Sequence, residues 1–240
     1  MKKSFLIVAV CALGVVMFAS CSAQTSSEKQ PAGMTKAEVD SVSYMLGYNL
    51  GRSITYSNMG SLSISKIVEG IKAAGNGVEI SQEEFYGVVN GFMEKRMKLV
   101  GEENLAKAEK FFASNAGYEG VKTTESGLQY RIEREGGLKA ASEKDTVEVN
   151  YEGTTLDGEV FDSSYERGEA VTFPLNRVIP GWTEGMQLVG EGGEITLWIP
   201  ANLAYGERAQ GDKIGPNEAL KFKVEVIKVH PFIEKTEAAK

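Results

Sequence analysis

Two cysteines and one histidine are all that the 240-residue chain holds of the side chains that most often serve as nucleophiles, bases and soft metal ligands. Cys11 lies within the apolar N-terminal run and Cys21 at its end, so the body beyond them has no thiol. That excludes a disulfide, a thiolate nucleophile and a cysteine metal site from the body. The histidine is His230, followed by Pro231 near the C-terminus, which leaves Ser-His-Asp and Cys-His catalysis and His-based zinc sites almost nothing to build on. The glycine-rich stretch "GEGGE" has neither the spacing nor the lysine of a phosphate-binding loop. If the chain is an enzyme, its chemistry needs no strong acid, base, nucleophile or metal, and no cofactor is expected.

Basic charge is also short. Against 33 acidic residues stand 26 basic ones, a net charge of −7. Residues 1–20 hold two lysines and no acids, so their removal leaves about 24 basic residues and a net charge of about −9. Nucleic acid is excluded as an expected partner.

There is one long apolar run, Phe5 to Phe18, preceded by Lys2 and Lys3 and followed by Ala19, Ser20 and Cys21. It is too short for a comfortable membrane span and reads as an export signal over residues 1–20. A cysteine after two small residues at that boundary resembles a bacterial lipoprotein signal. The resemblance implies lipidation of Cys21 and a membrane anchor in the cell envelope, facing the periplasm. The stretch "SAQTSSEKQPAG" that follows has little to bury and suits a flexible tether over 21–34.

Two periodicities divide the remainder. Thr35 with Glu38 and Ser81 with Glu84 form capping boxes, and Val39, Val42, Met45, Leu46 and Leu50 recur at helical steps. Ile64, Ile67, Val68 and Ile71 predict a second helix that closes at Gly75. From Phe85 through Phe92, Val100 and Ala108 to Phe112, helical spacing persists to about Asn115, a rod of roughly 50 Å. Gly87, Gly91 and Gly101 each weaken that rod by up to about 1 kcal/mol unless close packing uses them. Amphipathic helices this few hide their apolar faces either against one another in a compact monomeric bundle, which the loop lengths permit, or against a second copy. The second copy is the more economical solution, so residues 35–120 are expected to form an all-α dimerisation domain ending in a long linking helix.

After "GVKTTESG" the period falls to two. Leu128, Tyr130 and Ile132 alternate with polar residues, as do Val147, Val149 and Tyr151, then Ile195, Leu197 and Ile199, then Leu220, Phe222, Val224 and Val226. Asp157 and Gly158 supply a hairpin turn. The fold class is therefore α+β: the helical domain is followed, over 121–230, by an antiparallel twisted sheet wrapped on the one short helix that "GWTEGMQLV" can provide, and by a tail over 231–240. Any pocket lies between helix and sheet.

Four stretches then carry a resemblance: "VNYEGTTLDGEVFDSS", "VIPGWTEGMQLV", "LAYGE" and "IGPNEALKFKVEVIKV". In this order they resemble the signatures of FKBP-type peptidyl-prolyl cis/trans isomerases. The helical part, with "SYMLGYNLGRSI" and "SQEEFYGVVNGFMEKRMK", is similar to the dimerisation region of the macrophage infectivity potentiator-like bacterial members. The resemblance implies a homodimeric isomerase of X-Pro bonds in unfolded or exported polypeptides, with chaperone activity and sensitivity to macrolide FKBP inhibitors. It puts Trp182 under the substrate's proline ring, with Tyr151, Phe161, Phe222, Val178, Ile179 and Ile214 as walls. Asp162 is the polar rim residue, and the Ile179 backbone N–H and the Tyr205 hydroxyl are the donors to substrate carbonyls. Val171, at a position where many members have an aromatic, and Arg167, as the orienting partner of Asp162, complete the substrate-binding set. Gly215 replaces the first proline of the usual Ile-Pro-Pro and Gln210 a frequent histidine, which predicts a more mobile loop from Gly206 to Pro216.

Elementary energetics agree. Burying the three CH₂ groups of a pyrrolidine is worth about 2 kcal/mol, and rotating an amide requires no bond to be made or cleaved. The competing expectation is a periplasmic holdase, or a binding lipoprotein, with little isomerase activity.

Overall fold

The computed structural model describes residues 31, 33–57, 59–140 and 142–233. The expected signal, Cys21, most of the tether and the end of the tail lie outside the described residues. Internal contacts divide the chain into two units, one ending at Arg52 and one starting at Ser53.

Within the first unit runs most of α1, Lys36–Tyr56. Its start is the expected reciprocal box: the Thr35 N–H donates to Glu38 Oε2 at 2.6 Å and the Glu38 N–H donates to Thr35 Oγ1 at 3.3 Å. Val42, Met45, Leu46 and Leu50 stay exposed.

The second unit begins with helices α2, Ile64–Gly75, and α3, Gln82–Asn115. Ser63 and Ser81 cap them, each hydroxyl accepting the N–H of the third residue on, Lys66 at 3.4 Å and Glu84 at 3.1 Å. Glu83 and Glu84 add negative charge to the first turn of α3, where the helix dipole favours it. The 34 residues of α3 differ along their length. Phe85, Val88 and Phe92 near its start are exposed, whereas Gly101, Ala108 and Asn115 further on are buried.

Those buried residues face the β-rich body. Its strands are β1 (Lys122–Thr123), β2 (Gln129–Arg134), β3 (Thr146–Thr155), β4 (Val160–Ser163), β5 (Val171–Pro174), β6 (Glu194–Ile199) and β7 (Leu220–His230). All pair antiparallel in the order β1-β2-β6-β7-β3-β4, with β5 also on β3. The long strand β3 lies against β7 on one side, and its other edge is shared, β5 pairing with Thr146–Val149 and β4 with Glu152–Thr154. A short helix α4, Ser164–Arg167, follows β4. The Ser164 hydroxyl accepts the Tyr151 N–H at 2.8 Å in the gap between the two edge strands.

Alternation along β3, β6 and β7 sends Val147, Val149, Leu197, Ile199, Leu220 and Val226 into one core. The opposite face carries Arg131, Glu133, Glu152, Lys223 and Glu225. Against the core side lies α5, Pro180–Gly185, with proline at its start. Its approach requires glycine twice. A Cβ on Gly181 would lie 2.4 Å from Ile199 Cγ2, and one on Gly185 2.7 Å from the Leu197 methyls. That closeness brings Trp182, between them, down to 4% exposure.

Candidate functional site

A cavity of about 510 Å³ opens between α5 and the sheet, within the range of small-ligand sites. Trp182 lines it, and three rings meet the indole edge-on: Tyr151 at 5.1 Å between centroids, Phe222 at 5.3 Å and Phe173 at 5.7 Å. Phe161 closes a further side, edge-on to Phe222 at 5.5 Å. Edge-to-face packing suits the ring quadrupoles and holds all five rings at fixed angles. Trp182 Nε1 is the one buried side-chain polar atom among the described residues without a hydrogen-bond partner.

At the rim, strand geometry builds a polar network. Tyr151 and Asp162 stand on paired strands, and the Tyr151 hydroxyl donates to Asp162 Oδ2. Arg167 completes it, its Nη1 donating to Asp162 Oδ1 and its Nη2 to the Tyr151 hydroxyl at 3.0 Å, with the guanidinium 5.5 Å from the Tyr151 ring centroid. Burial pushes the Asp162 carboxyl up, but the hydrogen bonds from Tyr151 and Arg167 and the guanidinium charge outweigh it, so its pKa lies below the ordinary aspartate value. Burial and the bond to Asp162 push the Tyr151 phenol up. Burial and the Asp162 charge do the same to Tyr205. Both tyrosines thus stay protonated, and Asp162 stays ionised, throughout the neutral range.

Two donors at the cavity are not consumed by the protein. Among the described residues neither the Ile179 N–H nor the Tyr205 hydroxyl has a hydrogen-bond partner. Ile179 precedes α5 as its N-cap, in extended conformation at φ −62° and ψ 148°. Its carbonyl accepts from Trp182 and Thr183 at 2.9 and 3.1 Å, so the turn that caps the helix also fixes this N–H.

Tyr151, Phe161, Asp162, Val178, Ile179, Trp182, Tyr205 and Phe222, all expected from the sequence, line this one cavity. Three other expected residues do not. Ile214 is buried at 6% exposure in the core behind it. Val171 pairs with Val149 at the sheet edge and packs against the core. Arg167 acts on Asp162 and Tyr151 from outside. Phe173, Arg177 and Pro180 line the cavity and were not expected. Phe173 supplies the aromatic wall that Val171 lacks, from two residues further along β5.

A family model described as FKBP-type peptidyl-prolyl cis-trans isomerase matches residues 137–227, and one described as the domain amino terminal to it matches residues 39–132. A probable FKBP-type isomerase FkpA of Neisseria meningitidis is 43% identical over 198 residues, covering 78% of this chain and 73% of the relative. The outer membrane protein MIP of Legionella longbeachae is 36% identical over 200 residues, covering 79% and 85%. The crystal structure of FkpA from Escherichia coli aligns with TM-score 0.64 at 35% identity, over 82% of this chain and 99% of that one. With an aromatic cavity between α5 and the sheet and relatives matched along most of their length, the chain belongs to the FKBP-type peptidyl-prolyl cis-trans isomerases and catalyses rotation about the peptide bond that precedes proline.

Proposed function

We propose that the enzyme holds the substrate's proline ring on the Trp182 indole, between Tyr151, Phe161, Phe173 and Phe222, while the Ile179 N–H and Tyr205 hydroxyl take the flanking carbonyls. The observation that carries this is the cage of rings set edge-on around one buried indole, beside two donors the protein leaves unused. The barrier to X-Pro rotation, about 18–20 kcal/mol, comes from amide resonance, which separates charge in the planar ground state. A dry cavity disfavours that polar ground state more than the twisted, less polar transition state. Each tenfold acceleration requires about 1.4 kcal/mol of such a difference. Asp162, held ionised by Tyr151 and Arg167, keeps the rim polar and is not asked to accept a proton. A proline-isomerisation assay on a tetrapeptide, with Trp182→Leu and Tyr205→Phe and with a macrolide FKBP inhibitor, tests the assignment. Unchanged rates in both variants and no inhibition would refute it.

The setting we propose is the bacterial cell envelope. No helix among the described residues is long and apolar enough to cross a membrane, and a lipid on Cys21 would supply the anchor that the leader sequence implies. Exposed Val42, Met45 and Leu46 on α1, and Phe85 and Val88 on α3, support a homodimer formed through the helical region, acting with chaperone activity on exported clients. Intact mass of the membrane fraction and sedimentation of the mature chain test these two points. An unlipidated chain starting elsewhere, or a monomer at micromolar concentration, would overturn them.

A further inference from the structure

The later half of α3 touches the isomerase body at a place that neither the cavity nor the helical apolar faces explain. Asn104, half-buried on α3, donates through Nδ2 to the Pro216 carbonyl at 2.9 Å and to Glu218 Oε2 at 2.8 Å. The Pro216 carbonyl and the ionised Glu218 carboxylate only accept, so the amide faces them with its NH₂ end, and both of its N–H groups are used. One turn earlier, a Cβ on Gly101 would lie 3.1 Å from Asn217 Nδ2 and 3.4 Å from Pro216 Cβ, so this buried glycine is what lets the helix come close. On the other side, a Cβ on Gly215 would lie 3.0 Å from Asn104 Nδ2 and 3.3 Å from Glu218 Oε2. The residue that stands in place of the usual proline thus leaves room for the helix.

From there the contact leads to the cavity in two short steps. Asn217 is the only non-glycine residue among the described ones with positive φ, 54°, a conformation asparagine tolerates better than most residues. Its N–H donates to the Gly206 carbonyl at 2.7 Å, and Gly206 follows Tyr205. The loop between is closed by Gln210 and Ile214, the Gln210 N–H donating to the Ile214 carbonyl at 2.8 Å. We propose that Asn104 is a positioning residue of the isomerase: by holding Pro216 and Glu218, α3 sets where the loop presents the Tyr205 hydroxyl. Lys107, one turn on, ion-pairs with Asp157 and lies 4.0 Å from Glu218, so the same helix face braces the β3–β4 turn. The loop that sequence comparison predicts to be more mobile has its stop supplied by a different element. This rests on the role given to Tyr205 above.

The test uses the full mature chain with Asn104→Leu, Asn104→Gln, Tyr205→Phe and the double variant Asn104→Leu/Tyr205→Phe. Asn104→Leu is expected to lower kcat/KM on a tetrapeptide about three- to tenfold, through kcat more than KM. It should also speed amide exchange in residues 206–218 while exchange in β3 and β7 is unchanged. Asn104→Gln, which keeps the amide, should recover part of the rate. Because the effect runs through one hydroxyl, Asn104→Leu should cost little further in the Tyr205→Phe background. Unchanged kcat/KM and loop exchange in Asn104→Leu, or equal losses in both backgrounds, would overturn the clamp while leaving Tyr205 in its role. A silent Tyr205→Phe would overturn that role, and the clamp's route with it.

Discussion

The hydroxyl of Tyr151 is spent on the carboxylate of Asp162. The two meet diagonally across the β3–β4 pair, where Asp162 lies opposite Gly153, and Arg167 bridges both. Of the two tyrosines lining the cavity, only Tyr205 therefore has a hydroxyl available to a substrate. Tyr205→Phe should fold normally and lower kcat/KM on a tetrapeptide by about three- to tenfold, the loss of one neutral hydrogen bond. Tyr151→Phe should keep most of the activity and lose about 1 kcal/mol of stability, read by denaturant unfolding, because Asp162 loses a donor and not the substrate.

The same network fixes the response to pH. Asp162 titrates below the usual aspartate range, and both tyrosines above the usual phenol range, so kcat/KM should be flat from about pH 5 to 9. A carboxyl whose folded pKa is depressed contributes stability above its unfolded pKa and loses it as pH falls through the folded value. The Asp162 contribution should thus be fully present above about pH 4 and disappear only below it. In Asp162→Asn the acid limb of the unfolding midpoint should be shallower than in the parent. An activity optimum with a limb near neutrality would show that some other group carries a proton in the reaction.

At the floor, Trp182 combines 4% exposure with an indole N–H that has no partner. Trp182→Leu should remain folded, keep an apolar floor and lose part of the isomerase activity. Both Trp182→Leu and Trp182→Phe delete the unpartnered donor, whose burial costs about 1–3 kcal/mol, but Trp182→Phe keeps more of the apolar ring area. Its stability should consequently lie closer to the parent's than that of Trp182→Leu, in the same denaturant titration. Complete unfolding of Trp182→Leu would mean that the indole serves packing before binding.

Arg177 stands exposed where Val178 and Ile179 enter the cavity. Its guanidinium should favour an acidic residue beside the proline, by about two- to fivefold in kcat/KM for Glu against Lys in the preceding position at low salt. Arg177→Gln should abolish that difference. Equal rates for the two peptides with the parent enzyme would remove Arg177 from substrate choice.

Much of this was legible in the residues because local chemistry decided it. The caps at Thr35 and Ser81, the alternation of β3, β6 and β7, and the turn at Asp157–Gly158 each follow from a signal shorter than a dozen residues. Phe173 was hidden for a physical reason: β5 has four residues and ends in Pro174, too short for a period to declare itself. Only pairing with Val147 shows which way its ring points. Arg177 lies in a 3-10 turn, where no periodicity exists to read. Gly101 and Asn104 carried no apolar signal at all. On a helix, a glycine and an asparagine one turn apart look like weakness, and the sequence does not say that Pro216 and Glu218 lie opposite.

That contact also bears on where the isomerase begins. The boundary expected at 120/121 falls after the stretch of α3 that buries Gly101, Ala108 and Asn115 and that links to the sheet body through Asn115 Nδ2 and Gln129 Oε1 at 2.8 Å and through Gln129 Nε2 and the Phe112 carbonyl at 2.9 Å. A chain starting near Gly120 loses both partners of Gln129, which is 3% exposed in the full chain, together with the packing of α3 on the body, and each such bond contributes about 0.5–1.5 kcal/mol. A chain starting near Met97 keeps both bonds and the Asn104 clamp. The shorter chain should therefore melt several degrees lower and isomerise a tetrapeptide more slowly, whereas the longer one should match the full mature chain on that substrate. Both should be monomeric, having lost α1 and α2. On a whole unfolded protein both should fall well below the full chain, because two cavities tethered in a dimer raise the effective concentration at one client. Equal melting temperatures and peptide rates for the two truncated chains would show that α3 beyond Met97 contributes nothing to the isomerase.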